Sequence, residues 1–438
     1  MKGRGLHFVG IGGAGMSGLA LVAKQLGAEV GGSDRAESPY TERLRAAGIE
    51  PLIGHDAANL PERAELVVST AIAEDNPELT RARAEGWNVL HRADLLAELT
   101  RLKRTIAISG THGKTTTSAM AAHVLLRCGR DPAYLVGGEL RAARTNAAWG
   151  AGEWLVAEAD ESDRSFLKLS REVAAVTNME LDHHATYRSP SQLREAFAEF
   201  TAPAQTTIAW AGACIEADVT YGIGEGDLSA EDLELLPLGS SFTVEGAAVR
   251  LPAPGEHNVL NALAALAVCR EAGVPPAEGA AALVDFAGAA RRFEERGATA
   301  SGARIFDDYA HHPTEVRATL EAARTLEPRR LVACFQPHLY SRTRELAREF
   351  GEALALADLV VVLDVYPARE RAEDYPGVSG LTVARTAADA AGGRPVWWLP
   401  GMDDAEHMLR ERLGEGDVLL TLGAGDVDRL AGCLEAAA

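Results

Sequence analysis

Residues Ser109 to Thr117 read S-G-T-H-G-K-T-T-T, types and spacing that suit the handling of a nucleoside triphosphate. Gly110 and Gly113 let the backbone curl so that successive N–H groups face phosphate oxygens. Lys114 brings charge to the terminal phosphates, and the hydroxyl of Thr115 can sit on Mg²⁺. The loop (Gly110, Thr111, His112, Gly113, Lys114, Thr115, Thr116) is a variant, because Ile108 stands where such loops carry their first glycine. The apolar stretch Arg104 to Ser109 before it predicts a strand, and Lys114 to Arg127 after it predicts a helix, which is the context such a loop needs. A metal ligand belongs at the end of a neighbouring strand. Glu158 fits, where the apolar run Trp154 to Ala159 meets the acids Asp160-Glu161-Ser162-Asp163. Without the loop, that acidic run would read as a solvated turn.

A second glycine loop, Gly10-Ile11-Gly12-Gly13-Ala14-Gly15, matches G-x-G-x-x-G after a strand pattern and before a helix pattern. Asp34 follows about twenty residues on, where a ribose-binding acid is expected. Taken alone, this unit reads as the NAD site of a dehydrogenase. A glycine loop with a helix dipole behind it binds a pyrophosphate whatever nucleoside it carries, however. Two phosphate-binding units in one chain point instead to two phosphorylated substrates.

Three α/β units are needed to position these residues. Leu6–Ile11, Glu29–Ser33, Glu65–Thr70 and Trp87–Leu90 read as strands separated by helical stretches, including Gly15–Leu26. The unit opened by Arg104–Ser109 adds strands at Trp154–Ala159 and Val173–Thr177, a hairpin over Ser240–Leu251 and a helix over Asn258–Ala272, so its sheet is mixed. Beyond Arg291, strands at Arg304–Tyr309, Arg330–Phe335, Leu359–Val365, Val396–Leu399 and Val418–Leu422 make a third unit. The expected fold is therefore α/β in three domains. These are a Rossmann-like unit over 1–98, a central P-loop ATPase-like unit over 99–290 and a C-terminal Rossmann-like unit over 291–438.

Composition sets limits. The chain has 438 residues, a formal net charge of −20 and five scattered cysteines without a C-x-x-C pair. That charge argues against nucleic acid as a partner, because phosphate backbones are bound by basic surfaces. No apolar run is long enough to cross a bilayer, and Met1-Lys2-Gly3-Arg4 leads into a strand without a signal core. Buried free thiols and a cytoplasmic location are the expectation.

With these residues in hand, the chain resembles the Mur ligases of bacterial cell-wall synthesis, and among them the alanine-adding members. The likeness rests on H-F-V-G-I-G-G-A-G-M-S-G (His7–Gly18), the phosphate loop, and A-E-A-D-E-S-D (Ala157–Asp163). It continues through T-N-M-E-L-D-H-H (Thr177–His184), G-E-H-N-V-L-N-A (Gly255–Ala262), D-D-Y-A-H-H-P-T-E (Asp307–Glu315) and F-Q-P-H-L-Y-S-R-T-R (Phe335–Arg344). The resemblance implies an ATP- and Mg²⁺-dependent amide ligase acting on UDP-N-acetylmuramate and L-alanine in peptidoglycan precursor synthesis. The lactyl carboxylate would take the γ-phosphoryl group, and the amine would then attack the acyl phosphate.

By matched position, Gly12, Gly13, Ala14, Gly15, Met16 and Ser17 would cradle the UDP pyrophosphate, and Asp34 would lie near the uridine. Ser69 and Thr70 are further UDP-sugar candidates. Lys114 would steady the phosphoryl group in flight. Thr115 and Glu158 would hold the ATP magnesium, and His183 a second one. His257, Asn258, Asn261 and Arg292 are candidates for the nucleotide; the amides of Asn258 and Asn261 share one helical face, although Asn258 could equally cap the helix. Tyr309, His311 and Arg342 are the candidates for the amino acid.

Two positions depart from the family, and a lysine used by several sister ligases has no counterpart. Ala185 stands where an acid is common, and Leu339 where an arginine is common, which throws weight onto Arg342. Lys168 is the last lysine, so no carbamylated lysine can follow His183. The competing readings are a family member that joins a recycled tripeptide to the same nucleotide sugar, and a nucleotide-sugar sensor that uses ATP as a switch.

Overall fold

The computed structural model describes residues 1–183 and 186–436, so the departure at Ala185 lies outside the described residues. It contains three sheets, each fed by helices, and the carboxyl ends of their central strands meet at one place.

The first sheet is built from β1 (Gly5–Val9), β2 (Glu29–Asp34), β3 (Leu52–Ile53), β4 (Glu65–Val68) and β5 (Val89–His91), all parallel in the order β3-β2-β1-β4-β5. In β1, Leu6, His7, Phe8 and Val9 are buried on both faces, as a central parallel strand requires. The strand order reverses between β1 and β4, and the N-terminal glycine loop lies at that switch point, where ligands of open α/β sheets bind.

The second sheet contains β6 (Arg104–Ser109), β7 (Ala133–Leu140), β8 (Thr145–Trp149), β9 (Trp154–Glu158), β10 (Val173–Val176), β11 (Thr206–Trp210), β12 (Val219–Ile223), β13 (Leu228–Leu236), β14 (Gly239–Val244) and β15 (Ala247–Leu251). Its order is β15-β14-β13-β12-β11-β10-β6-β9-β7-β8, parallel in the middle and antiparallel at both ends. The expected hairpin is the pair β14–β15. Sequence patterning did not find β7–β8, a hairpin that packs against the helix Ala14–Gln25 of the first unit. Register matters most in the centre: Ile108 pairs with Glu158, and Ser109 with Val176. The phosphate loop therefore leaves β6 with Glu158 on one side and Thr177 on the other.

The third sheet comprises β16 (Glu294–Ala298), β17 (Arg304–Asp308), β18 (Arg330–Phe335), β19 (Leu359–Val362), β20 (Val396–Trp398) and β21 (Asp417–Leu422), in the order β16-β17-β21-β18-β19-β20. Only β16 runs antiparallel. The chain leaves β17 and β18 directly into the segments holding Tyr309–His312 and His338–Arg342.

All five cysteines are free, but only Cys269 and Cys334 are buried. Cys214 and Cys433 are exposed because they sit on a surface turn and a terminal helix, so the expectation of buried thiols fails for them. Among the described residues, no helix is long and apolar enough to cross a membrane.

Candidate functional site

The loop after β6 owes its shape to two glycines. Gly110 has φ 138° and Gly113 φ 78°, and a Cβ on either would run into Thr177 Oγ1 or Asn261 Oδ1 at 2.0 and 2.3 Å. The helix Lys114–Arg127 starts immediately after Gly113, so the N–H groups of Lys114, Thr115 and Thr116 have no carbonyl one turn before them and face the loop's mouth. Thr111 and His112 are held back from that mouth: their N–H groups donate to the carbonyl and side-chain oxygens of Asn178 at 3.2 and 2.9 Å.

Lys114 Nζ donates to Gly110 O at 2.6 Å and Thr111 O at 3.0 Å, and lies 2.9 Å from a carboxylate oxygen of Glu161. Burial opposes its charge, yet Glu161, Asp160 and Glu158 together raise its pKa, so it is an ammonium. The Thr115 hydroxyl donates to Glu158 Oε1 at 3.0 Å, while Glu158 Oε2 accepts from the Gly137 N–H at 2.7 Å. A Cβ at Gly137 would meet both Glu158 oxygens within 2.8 Å, so the carboxylate is cradled by a residue without a side chain. A hydroxyl and a carboxylate held this way beside a phosphate loop form an oxygen donor set that fits Mg²⁺.

Glu161 is the residue that sequence reasoning passed over. It is 1% exposed and joins Lys114 to His183, whose Nε2 lies 3.4 Å from Glu161 Oε1 and 3.6 Å from Asp182 Oδ2. Its only signal was membership in the acidic run. Asp160 is held well below the usual carboxylate range: burial works against this, but Arg92, Lys114 and the Ser162 N–H outweigh it.

Arg342 does not stand free to take a carboxylate as expected. Its guanidinium is 3% exposed and engages Asp182 through two hydrogen bonds, Nε to Oδ1 at 3.0 Å and Nη2 to Oδ2 at 2.9 Å. Nη1 turns to His338 O at 3.3 Å. The fork geometry satisfies both partners, and the pair bridges the second and third units. His311 and Tyr309 line the same cleft. His311 Nδ1 lies 3.0 Å from Tyr309 O, and burial holds its pKa well below the usual histidine range.

A pocket of about 190 Å³ beside the phosphate loop collects the nucleotide candidates His112, Thr116, His257, Asn258, Asn261 and Arg292. The helix here begins at Glu256 with Gly255 as its N-cap, so capping by Asn258 is excluded. Instead Asn258 Nδ2 donates to Pro254 O at 2.8 Å, Asn261 Nδ2 donates to Asn258 Oδ1 at 3.2 Å, and Thr117 Oγ1 donates to Asn261 Oδ1 at 3.1 Å. His257 is pushed down to about 4 by burial.

His112, Glu180 and His312 place one donor atom each within 4.8 Å of one another. They form an ion-pair cluster rather than a metal cage. His112 lies 3.4 Å from Glu180 and 3.3 Å from Glu315. Burial disfavours its charge, but these two carboxylates push it up to about 9, and a metal would have to displace that proton.

The N-terminal loop keeps fewer free donors than its motif implies. Gly12 N–H donates to Asp34 Oδ2 at 2.8 Å, and Gly13 N–H to Gly10 O at 3.1 Å, so Asp34 shapes the loop itself. Met16 packs into the core, and Ser17 spends its N–H on Gly13 O and its hydroxyl on Ala14 O. What remains are the first N–H groups of the helix, at Ala14, Gly15 and Met16. Ser69 and Thr70 follow β4 and do not line the central cleft. That cleft, about 760 Å³, is walled by Ala14 from the first unit, Lys114, Thr115 and His183 from the second, and His311 and Arg342 from the third.

Family models match in three consecutive blocks. The Mur ligase family catalytic domain covers residues 5–104, the Mur ligase middle domain covers 108–269, and the Mur ligase glutamate ligase domain covers 291–425. A UDP-N-acetylmuramate–L-alanine ligase of Rubrobacter xylanophilus is 45% identical over 444 residues, spanning 97% of this chain and 98% of the relative. One from Streptomyces coelicolor is 46% identical, with 97% and 95% covered. Among solved structures, UDP-N-acetylmuramate–alanine ligase MurC of Thermotoga maritima superposes with a TM-score of 0.85 at 32% identity, covering 98% of this chain and 97% of that one. A murein peptide ligase of Psychrobacter arcticus gives 0.75 at 25% identity, with 100% of both chains covered.

Two predictions concern the charges at the junction. Asp182→Asn strands a buried guanidinium and is expected to cost about 3–5 kcal/mol, read as a lower urea midpoint. Adding Arg342→Met should recover part of that loss, and additive losses would mean that the pair is not coupled. His112 has a folded pKa above its unfolded one, so its stabilising contribution is complete below about pH 6.5 and is lost as pH rises through about 9. Stability of the wild type should therefore decline across that window by about 1–3 kcal/mol. His112→Gln should flatten the decline; an unchanged slope in the variant would reject the assignment.

Proposed function

Because the chain belongs to the Mur ligase family, we propose that it joins L-alanine to the carboxylate of UDP-N-acetylmuramate, converting ATP to ADP and phosphate. The observation that carries this reading is the shared cleft. A phosphate loop, the start of a second glycine-loop helix and a histidine- and arginine-bearing wall face one cavity, as three substrates reacting together require.

This placement supports a set of residue roles. We assign residues 1–98 to the UDP-sugar, 99–290 to ATP and 291–438 to the amino acid. The helix N–H groups at Ala14 to Met16 would take the UDP pyrophosphate, and those at Lys114 to Thr116 the ATP phosphates. His257, Asn258, Asn261 and Arg292 would surround the adenosine. Thr115 and Glu158 would hold Mg²⁺, with His183 and Glu161 available to a second ion. When bound, such a cation neutralises phosphate charge.

A carboxylate is a poor acyl donor until one oxygen becomes part of a leaving group. In the first step the lactyl carboxylate attacks the γ-phosphorus and ADP departs. In the second the alanine amine attacks the acyl carbon, and phosphate leaves with the carboxylate oxygen. Lys114 stays charged throughout and can follow the phosphoryl group as charge shifts from the β,γ-bridge to the acyl oxygen. Glu161 positions Lys114 and His183 rather than touching the substrate. The protein would work in the cytoplasm, where ATP is available.

Phosphate release should require ATP, UDP-N-acetylmuramate and L-alanine together. Equal release without the sugar or the amino acid would sink the ligase reading, and a demand for a tripeptide in place of alanine would favour the murein peptide ligase activity instead. Lys114→Ala should lower kcat by roughly 100-fold or more while calorimetry still shows UDP-N-acetylmuramate binding. A variant of near wild-type kcat would remove Lys114 from the chemistry.

A further inference from the structure

Six arginines line the central cleft: Arg43, Arg291, Arg292, Arg296, Arg342 and Arg369. Five are already answered by acids. Arg43 pairs with Glu139, Arg291 with Asp307, Arg292 faces Glu315 at 3.9 Å, Arg296 pairs with Glu435, and Arg342 is held by Asp182. Arg369 has no acidic or hydrogen-bonding partner among the described residues and is exposed to the cleft.

Arg369 is nonetheless not on a loose segment. The loop after β19 is tied to the segment after β18 on both sides of it. Tyr366 N–H donates to Pro337 O at 2.8 Å, and Leu339 N–H donates to Tyr366 O at 3.0 Å. The Tyr366 and His338 rings stack 5.8 Å apart. Beyond Arg369, Glu370 accepts from the N–H and hydroxyl of Ser341 at 2.9 and 2.5 Å. Ala368, with φ 49°, turns the chain between these anchors. The Arg369 charge is felt at His338, which burial first, and then Arg342 and Arg369, push down to about 3.

We propose that Arg369 binds the α-carboxylate of the incoming amino acid, an inference that rests on the ligase reading above. The nucleotide phosphates have helix N-termini and Lys114 to receive them, on other walls of the cleft. The amino acid brings one anionic group to the third unit's wall, where His311 and His338 are neutral and Arg342 is spent on Asp182. A guanidinium on an anchored loop can take that carboxylate through two parallel hydrogen bonds. It would thereby hold the amine toward the acyl carbon and discriminate amino acids from simple amines.

The test uses the full-length protein and phosphate release at saturating ATP and UDP-N-acetylmuramate, with L-alanine and L-alaninamide titrated separately. Wild type is measured first: if it shows no alanine-dependent release, the ligase reading fails. If wild type turns over, Arg369→Ala should raise the KM for L-alanine about 30-fold or more and Arg369→Lys by less. The KM values for ATP and UDP-N-acetylmuramate should stay within about twofold. Alaninamide carries no carboxylate, so wild type and Arg369→Ala should use it alike and the preference for alanine should collapse. An unchanged alanine KM, a retained preference, or a rise confined to ATP or the UDP-sugar would each overturn the proposal.

Discussion

A charge brought into a buried cleft must be answered by an opposite one, and the arrangement around Lys114 follows from that constraint. Its ammonium is only 16% exposed, and desolvation works against its charge. Glu161, Asp160 and Glu158 outweigh this, but they create the reverse problem, since three carboxylates beside a triphosphate would repel it. A cation between them would close the balance. Thr115, Glu158 and the bare backbone of Gly137 supply a place shaped for one. The acidic run thus stabilises the lysine's charge, and on the ligase reading it would be shared with a metal ion once nucleotide is bound.

The same constraint divides the two domain junctions into different kinds. The first and second units share one apolar cluster, in which Leu19, Val22 and Leu95 pack with Leu135, Ala147 and Leu155. Gly18 allows this, since a Cβ there would come within 3.1 Å of Ala147. The third unit has its own clusters and meets the second through Asp182–Arg342, Thr314–Glu180 and His112–Glu315. Separating the first two units would expose apolar surface, whereas separating the third from the second would leave the buried Asp182 and Arg342 charges without partners. The first two units are therefore joined by an apolar seam, and the third is joined to the second by polar pairs.

Features carried by local pattern were legible in the sequence. The strand Arg104–Ser109 and the helix Lys114–Arg127 fall where the patterning places them, because a buried parallel strand and an apolar helix both announce themselves within a dozen residues. Features set by distant partners were not. Arg342 and Asp182 lie 160 positions apart, and no spacing rule links them. Glu158 and Glu161 differ by three residues in one acidic run, yet only the register of β9 against β6 puts the first at the loop's mouth, and only the turn after it buries the second. The glycine loop at Gly10–Gly15 was recognisable as a loop. Which of its N–H groups are already spent depends on where the Asp34 carboxylate points, and the motif does not say.

The histidines show how far residue identity underdetermines chemistry. Burial is the largest influence on six of them: His91, His112, His257, His311, His312 and His338. Burial alone makes an imidazole neutral. His257 and His312 go down to about 4 and His338 to about 3, each with a positive neighbour that deepens the effect. His112 goes the other way because Glu180 and Glu315 both lie within 3.4 Å of its ring. A cationic imidazole, His112, therefore stands on the phosphate loop, and the neutral His311, His312 and His338 stand on the third unit's wall. On that wall positive charge has to come from guanidinium groups, whose protonation survives desolvation. On the ligase reading, an anionic substrate entering a protein of net charge −20 would be received by a free guanidinium and by helix N-termini, while the neutral histidines could accept a hydrogen bond from an amine without repelling it.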